Sequence, residues 1–381
     1  MQKLSILFLS VLILNISASS QFKIQFELKS LPANLDIGSS VFIAGSFNGW
    51  NPQNKNFQFQ NNGGRYFLEL SLKAGVYEYK LARGGWDKVE CTGTGADIVN
   101  RTLKVEADGK VEINVEGWKD KFSGQSKKST ASKNVHIIDT AFFIPQLNRF
   151  RRVWIYLPPD YETAKKKYPV LYMHDGQNVF EDSSSFSGEW GVDDFLDSTA
   201  FPKSIVIAID NGGAKRMSEY SPYDFRLPND SNHKINGEGA LYVEFLAKTL
   251  KPFIDRNYRT FKNRKNTFVA GSSMGGLISL YAILDCPKVF GGAGVFSPAF
   301  WVAPKIFEEI KYRGKKVKGN IYFYAGKDEG ETMVPLMLKT FNEMHRVSKS
   351  KMTAVIRTDG KHNEARWRME FPEFYEWLMA K

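Results

Sequence analysis

The chain has 381 residues, 43% of them apolar and 24% charged, with 52 basic against 41 acidic side chains and a formal charge of +11. The basic excess is scattered in short clusters such as Lys165-Lys166-Lys167 and Arg313 to Lys318, with no basic helix, which argues for a solvated surface and against a nucleic-acid partner. Its 2 cysteines, Cys91 and Cys286, fall in different putative domains and read as small buried or half-buried residues, so no disulfide is expected.

The chain opens on Met1-Gln2-Lys3 followed by the apolar run Leu4 to Leu14 and the small residues Ser17-Ala18-Ser19-Ser20. A short basic start and an apolar core of this length predict a cleaved signal peptide over 1–20, since the run is too short to span a bilayer. The expected location is therefore secreted or periplasmic, with no stable membrane insertion after cleavage.

From 21 to 117 the runs are short and alternating, separated by turns rich in Gly, Asn and Pro. Val41 to Gly45, Arg65 to Leu70 and Gly75 to Leu81 read as strands. About a hundred residues with this spacing predict a small all-β, immunoglobulin-like sandwich. Residues 118–134 are rich in Lys and Ser without apolar periodicity and read as a linker.

Residues 135–381 carry the chemistry. Gly271-Ser272-Ser273-Met274-Gly275 sits between the strand-like Thr267 to Ala270 and the helix-like Leu277 to Tyr281. A serine at the apex of a strand–turn–helix, on glycines that admit a tight turn, marks Ser273 as a candidate nucleophile. The following helix aims its N-terminal amides at charge developing beside that serine.

A serine needs a histidine base oriented by a carboxylate, and on an α/β-hydrolase scaffold these follow in the order Ser, acid, His. Of 5 histidines only His345 and His362 follow the serine. His345 ends an amphipathic stretch, Pro335 to Met344, and reads as a helix-face residue. His362 lies in the loop after the strand-like Met352 to Arg357, where such a base belongs. The strand Asn320 to Gly326 leads into Lys327-Asp328-Glu329-Gly330-Glu331, whose three carboxylates leave the acid open on spacing alone. For the oxyanion hole, one donor is the Met274 amide. The second is expected from the turn after Tyr168 to Met173, at the Gln177 amide; His174 and Asp175 beside it read equally well as strand-end caps.

From Val135 onward the chain resembles the putative-esterase (esterase D-like) branch of the α/β-hydrolases. The resemblance rests on Leu171 to Asn178, Arg216 with Glu219 to Pro222, Gly271 to Gly276, Gly326 to Pro335 and Gly360 to Glu364. It implies a mostly parallel sheet flanked by helices and a serine esterase needing neither metal nor organic cofactor. In that family the acid lies three positions after the glycine ending its strand, which selects Glu329. The resemblance also suggests Arg216, Trp301 and Trp190 as pocket-lining residues, with ordinary packing as the alternative, above all for Trp190.

Gly45 to Pro52, Gly75 to Lys80, Trp86 and Asn100 resemble the family 48 carbohydrate-binding module and the glycogen-binding domain of the AMP-activated kinase. That resemblance implies a sugar site of Trp50, Lys80, Trp86 and Asn100, with indole faces against pyranose rings. The alternative is a rigid brace that uses the same aromatic turn for its own packing. Together the two resemblances imply a secreted esterase acting on feruloyl or acetyl groups of carbohydrate. A siderophore trilactone esterase and a non-catalytic glycan-binding protein are the alternatives.

Overall fold

A computed structural model of the protein describes residues 21–32, 38–122, 129–185, 188–227 and 230–380. The expected signal peptide lies outside the described residues.

Among the described residues the N-terminal unit holds nine strands: β1 (Gln21–Ser30), β2 (Phe42–Gly45), β3 (Gln60–Asn62), β4 (Arg65–Lys73), β5 (Gly75–Ala82), β6 (Glu90–Cys91), β7 (Arg101–Val105), β8 (Gly109–Asn114) and β9 (Gly117–Trp118). They form sheets ordered β3-β4-β1-β8 and β2-β5-β7, with β6 paired to β9. On β4, Tyr66, Leu68, Leu70 and Leu72 point inward while their neighbours face out. That period-2 pattern predicted the strand and fixes its register against β1. Both larger sheets bury their inner faces in one core with Phe26, Phe47, Leu81 and Trp118.

The segment read as a linker is tied down where it is described. Trp118 belongs to the N-terminal core, the Ser132 amide donates to Asp193 Oδ2 at 2.7 Å, and the Ser129 hydroxyl bonds to Glu181. Residues 123–128 lie outside the described residues.

The second unit is built on eight strands: β10 (Val135–Ile144), β11 (Arg149–Tyr156), β12 (Val170–His174), β13 (Ile205–Ile209), β16 (Thr267–Ser272), β17 (Gly292–Phe296), β18 (Asn320–Gly326) and β19 (Lys351–Arg357). A hairpin of β14 (Phe225–Leu227) and β15 (Asp230–Ile235) stands apart from them. The sheet order is β10-β11-β13-β12-β16-β17-β18-β19. β10 pairs antiparallel with β11, and β11 with β13, while β13, β12, β16, β17, β18 and β19 are mutually parallel. β12, β13, β16, β17 and β18 are buried on both faces, as their apolar runs predict, while the edge strand β19 is only half-buried. Val269 and Phe323 pack into the core on one side, Phe268 and Tyr324 into that on the other. This is an α/β-hydrolase-like fold. His174, Ser272, Phe296, Gly326 and Arg357 all end strands at the same edge, where open α/β sheets present their sites.

The two units meet at that edge. A Cβ on Gly49 would lie 3.2 Å from Leu227 Cδ1 and 3.7 Å from Met217 Cε. On β5, Tyr79 and Leu81 enter the N-terminal core, so Lys80 between them points to the opposite face; it is nevertheless only 1% exposed. Among the described residues no helix is long and apolar enough to cross a membrane.

Candidate active site

Ser273 joins β16 to the helix Met274–Asp285 with φ 58° and ψ −119°. A non-glycine residue held there costs about 1–3 kcal/mol, strain that only a constraining environment maintains. The constraint is visible. The Ser273 amide donates to Phe296 O at 2.9 Å, and the Ala299 amide donates to Ser273 O at 3.1 Å. The glycines of the turn have no room for side chains: a Cβ would meet His174 Cδ2 at 3.0 Å from Gly271 and Phe296 O at 2.6 Å from Gly276. The helix that follows is buried from Met274 to Leu284.

Of the three carboxylates after β18, Glu329 alone reaches the imidazole. Its Oε2 lies 2.7 Å from His362 Nδ1, while Oε1 accepts from the Gly326 amide at 2.6 Å and from Ser297 Oγ at 2.8 Å. Asp328 is exposed. His345 lies in the helix Met333–Val347, stacked on Phe341 at 6.0 Å and away from this cluster.

Ser297 is the joint between nucleophile and base. It sits between Phe296 and Ala299, the two residues bonded to the Ser273 main chain, and its hydroxyl holds Glu329. The indole of Trp367 donates to Ser297 Oγ at 2.9 Å and meets the His362 ring edge-on, 5.1 Å between centroids. The Ser273 hydroxyl makes no hydrogen bond among the described residues; contacts of this kind often close only around substrate.

Burial is the largest influence on His362 and works against its charged form. The hydrogen bond and negative charge of Glu329 outweigh it, so the imidazole titrates above its ordinary 6.5. His174 behaves oppositely. Burial pushes it down to about 4, and its Nδ1 lies 3.0 Å from the Tyr242 hydroxyl. It is a neutral wedge behind the elbow, consistent with the capping role.

The expected oxyanion turn follows β12. Asp175 adopts φ 55° and ψ 51° ahead of the turn Gly176–Asn178. Arg216 clamps Asp175, with Nε to Oδ1 at 2.6 Å and Nη2 to Oδ2 at 2.9 Å, and Gln177 Oε1 accepts from the Asn211 amide at 3.1 Å. The Gln177 and Met274 amides donate to no other group among the described residues. Arg216 thus braces the turn.

For Trp190 the packing alternative holds and the pocket role does not. Trp190 is 3% exposed, stacked on Trp367 at 5.8 Å and packed edge-on against Phe296 at 4.9 Å, so it fills the core. Trp301 is 40% exposed. Trp50 and Trp86 lie 6.4 Å apart with planes tilted by 44°, and Asn100 Nδ2 donates to Glu78 Oε2 at 3.1 Å.

Glu364 was not foreseen. It opens the helix Glu364–Met379 two residues after His362, is 7% exposed, and its Oε1 accepts from Asn178 Nδ2 at 2.9 Å. Its only trace in the sequence is its place at the end of Gly360 to Glu364. Ser297 and Trp367 were likewise missed as supporting residues. Among the described residues no group of three or more His, Cys, Asp or Glu side chains is arranged to hold a metal ion.

The chain is similar to several known proteins. Uncharacterized protein YbbA of Bacillus subtilis is 26% identical over 241 residues, covering 61% of this chain and 93% of its own. An endo-1,4-beta-xylanase/feruloyl esterase of Xylanibacter ruminicola is 28% identical over 207 residues, 51% of this chain and 25% of that one. The enterobactin esterase FES from Shigella flexneri has a similar fold, with TM-score 0.50 at 17% identity over 89% of this chain and 87% of its own. The model of the family described as putative esterase matches residues 144–378. The chain belongs to that family and is a carboxylic ester hydrolase.

Proposed function

We propose that the protein is a secreted serine esterase that removes feruloyl or acetyl groups from carbohydrate. In this reading Ser273 Oγ attacks the ester carbonyl while His362 Nε2 takes its proton. Glu329 holds the imidazole through Nδ1, and the Met274 and Gln177 amides receive the oxyanion. Collapse of the tetrahedral intermediate breaks the ester C–O bond, His362 returns the proton to the departing alcohol, and the acyl group stays on Ser273. Water, deprotonated by His362, then releases the acid by the same sequence.

The observation that carries this reading is the 2.7 Å Glu329–His362 contact, joined through Ser297 to a strained Ser273. Sugar as the alcohol is supported by the Trp50–Trp86 pair, and by similarity to a protein named as a xylanase and feruloyl esterase. In this reading the N-terminal unit is a carbohydrate-binding-module-like sandwich over 21–117, and 135–381 is the esterase domain. The basic surface also suits an anionic iron chelate, which keeps a siderophore trilactone as the second candidate substrate. Turnover of p-nitrophenyl acetate that disappears in Ser273→Ala tests the chemistry. Feruloylated sugars, acetylated xylan and a catecholate trilactone offered side by side test the substrate, and preference for the trilactone would overturn the carbohydrate assignment.

A further inference from the structure

The main chain of the oxyanion turn is held from the residues that follow it. The Ser184 hydroxyl donates to Gln177 O at 3.0 Å, and the Trp190 amide donates to Asn178 O at 2.8 Å. The stretches 181–185 and 188–190 therefore fix the backbone on which the aim of the Gln177 amide depends. Each stretch also carries a carboxylate that is almost wholly buried, Glu181 at 7% and Glu189 at 6% exposure.

A buried carboxylate is destabilising unless it is hydrogen-bonded. The segment between the two units supplies those bonds. The Ser129 hydroxyl bonds to Glu181 Oε2, and the Thr130 amide donates to Glu181 Oε1 at 3.3 Å. The Thr130 hydroxyl donates to Glu189 Oε2 at 2.9 Å and accepts from the Asp182 amide at 2.8 Å, so one oxygen bridges both stretches. On its other oxygen Glu189 accepts from Arg368 Nη1 at 3.1 Å, and Arg368 directly follows Trp367, which holds Ser297.

We propose that Thr130 is a positioning residue of the esterase, a strap from the segment between the units that ties 181–185 to 188–190 and so keeps the Gln177 amide aimed at the oxyanion. This rests on Gln177 being an oxyanion donor, as in the mechanism above.

The charges agree with the geometry. Burial pushes the Glu181 carboxyl up, but the Ser129 hydroxyl and the Ser183 and Thr130 amides outweigh it, and the group titrates below its ordinary 4.5. Glu189 lies above 4.5 through burial, and the Thr130 hydroxyl is the strongest influence opposing that rise. Without this hydroxyl Glu189 is drawn toward water and the tie between the stretches is broken. The Ser184 bond to Gln177 O then slackens. Thr130 itself is exposed, so valine, which matches its shape, removes the hydroxyl without disturbing a core.

The test is steady-state kinetics of the full chain on p-nitrophenyl acetate, with inhibition by trifluoroacetone measured alongside. That ketone takes Ser273 Oγ at its carbonyl carbon and leaves an oxyanion facing the same donors. Outright loss of an oxyanion donor costs about 10²–10³ in kcat, so one that only drifts is expected to cost about fivefold. Thr130→Val should show that loss with KM within about twofold, and trifluoroacetone should bind more weakly by a similar factor. Thr130→Ser, which keeps the hydroxyl, should stay within about twofold of the parent in both measurements. Ser184→Ala should resemble Thr130→Val, and the double variant should be no worse than the worse single one, because both act through one tie. A folded Thr130→Val with parental kcat, a lowered kcat with unchanged inhibition, a Thr130→Ser no better than Thr130→Val, or losses that multiply in the double variant would overturn the proposal. Should Thr130→Val fail to fold, Ser184→Ala decides: parental kcat and inhibition overturn it, and matched losses in both support it. Full activity in Ser273→Ala would instead sink the triad reading itself.

Discussion

Ser297 Oγ donates to Glu329 Oε1 at 2.8 Å, and through this one hydroxyl the turn that carries the nucleophile is fastened to the acid that orients the base. Ser297 itself has φ 42°, a conformation that a side chain tolerates only when held. The same oxygen receives the Trp367 indole, so Ser297, Glu329, His362 and Trp367 form one network. Four consequences are open to measurement.

Ser297→Ala removes the hydroxyl from that network and leaves the Trp367 N–H buried without its acceptor. A lost hydrogen bond to a charged group is worth about 1.5–3 kcal/mol. We expect kcat to fall about tenfold or more on that scale, with KM little changed. Trp367→Phe, which keeps the packing against Trp190 and His362, should give a smaller loss in the same parameter.

The pH profile follows from His362. The reaction needs its neutral form, and its pKa is raised above 6.5 because Glu329 favours the charged ring. Activity should therefore decline as pH falls through a value above 6.5. In Glu329→Gln the favouring charge is gone, burial dominates, and the limb should move to lower pH. At the same time kcat should fall by about 10²–10⁴, since the imidazole is no longer held in the required tautomer. A limb that stays put in Glu329→Gln would remove Glu329 from the triad.

Gly276→Ala puts a methyl group 2.6 Å from Phe296 O, the acceptor for the Ser273 amide. That carbonyl belongs to a central strand and cannot swing away. Overpacking of this kind costs about 1–3 kcal/mol. Urea unfolding should reveal the loss, and the folded fraction should have reduced kcat because the elbow is displaced.

Retention on polysaccharide gels should weaken in Trp50→Ala and Trp86→Ala if the tilted indole pair grips sugar rings. Equal migration of folded variants and parent would leave these rings a purely structural role.

Ser273 and His362 stand out because each follows a strand end marked by local chemistry, a glycine-framed turn and a polar loop, whereas the acidic turn leaves Asp328, Glu329 and Glu331 open and only the family resemblance selects Glu329. Of the parallel strands, β12, β16, β18 and β19 are legible in the sequence as strand-like runs, and β4 is legible from alternation. What escaped were residues whose meaning is made by distant partners. Alternation on β5 puts Lys80 outside the N-terminal core, but nothing local announces that its side chain is buried all the same. Glu364 reads as an ordinary acidic residue in a helix's first turn until Asn178 is folded against it. Trp190, isolated in a loop by sequence, is drawn into the core by Phe296, Trp367 and Phe371, which come from two later elements.

Gly326 and Gly360 end the acid strand and precede the base; a Cβ on the first would lie 2.1 Å from the oxygen of the second. The two loops therefore rest main chain on main chain, with no compressible side chain between them. Variation aimed at new substrates has freedom at the exposed Trp301, but this bare contact is a fixed pivot. Any library or graft that replaces either glycine forfeits the alignment of base and acid before specificity is sampled.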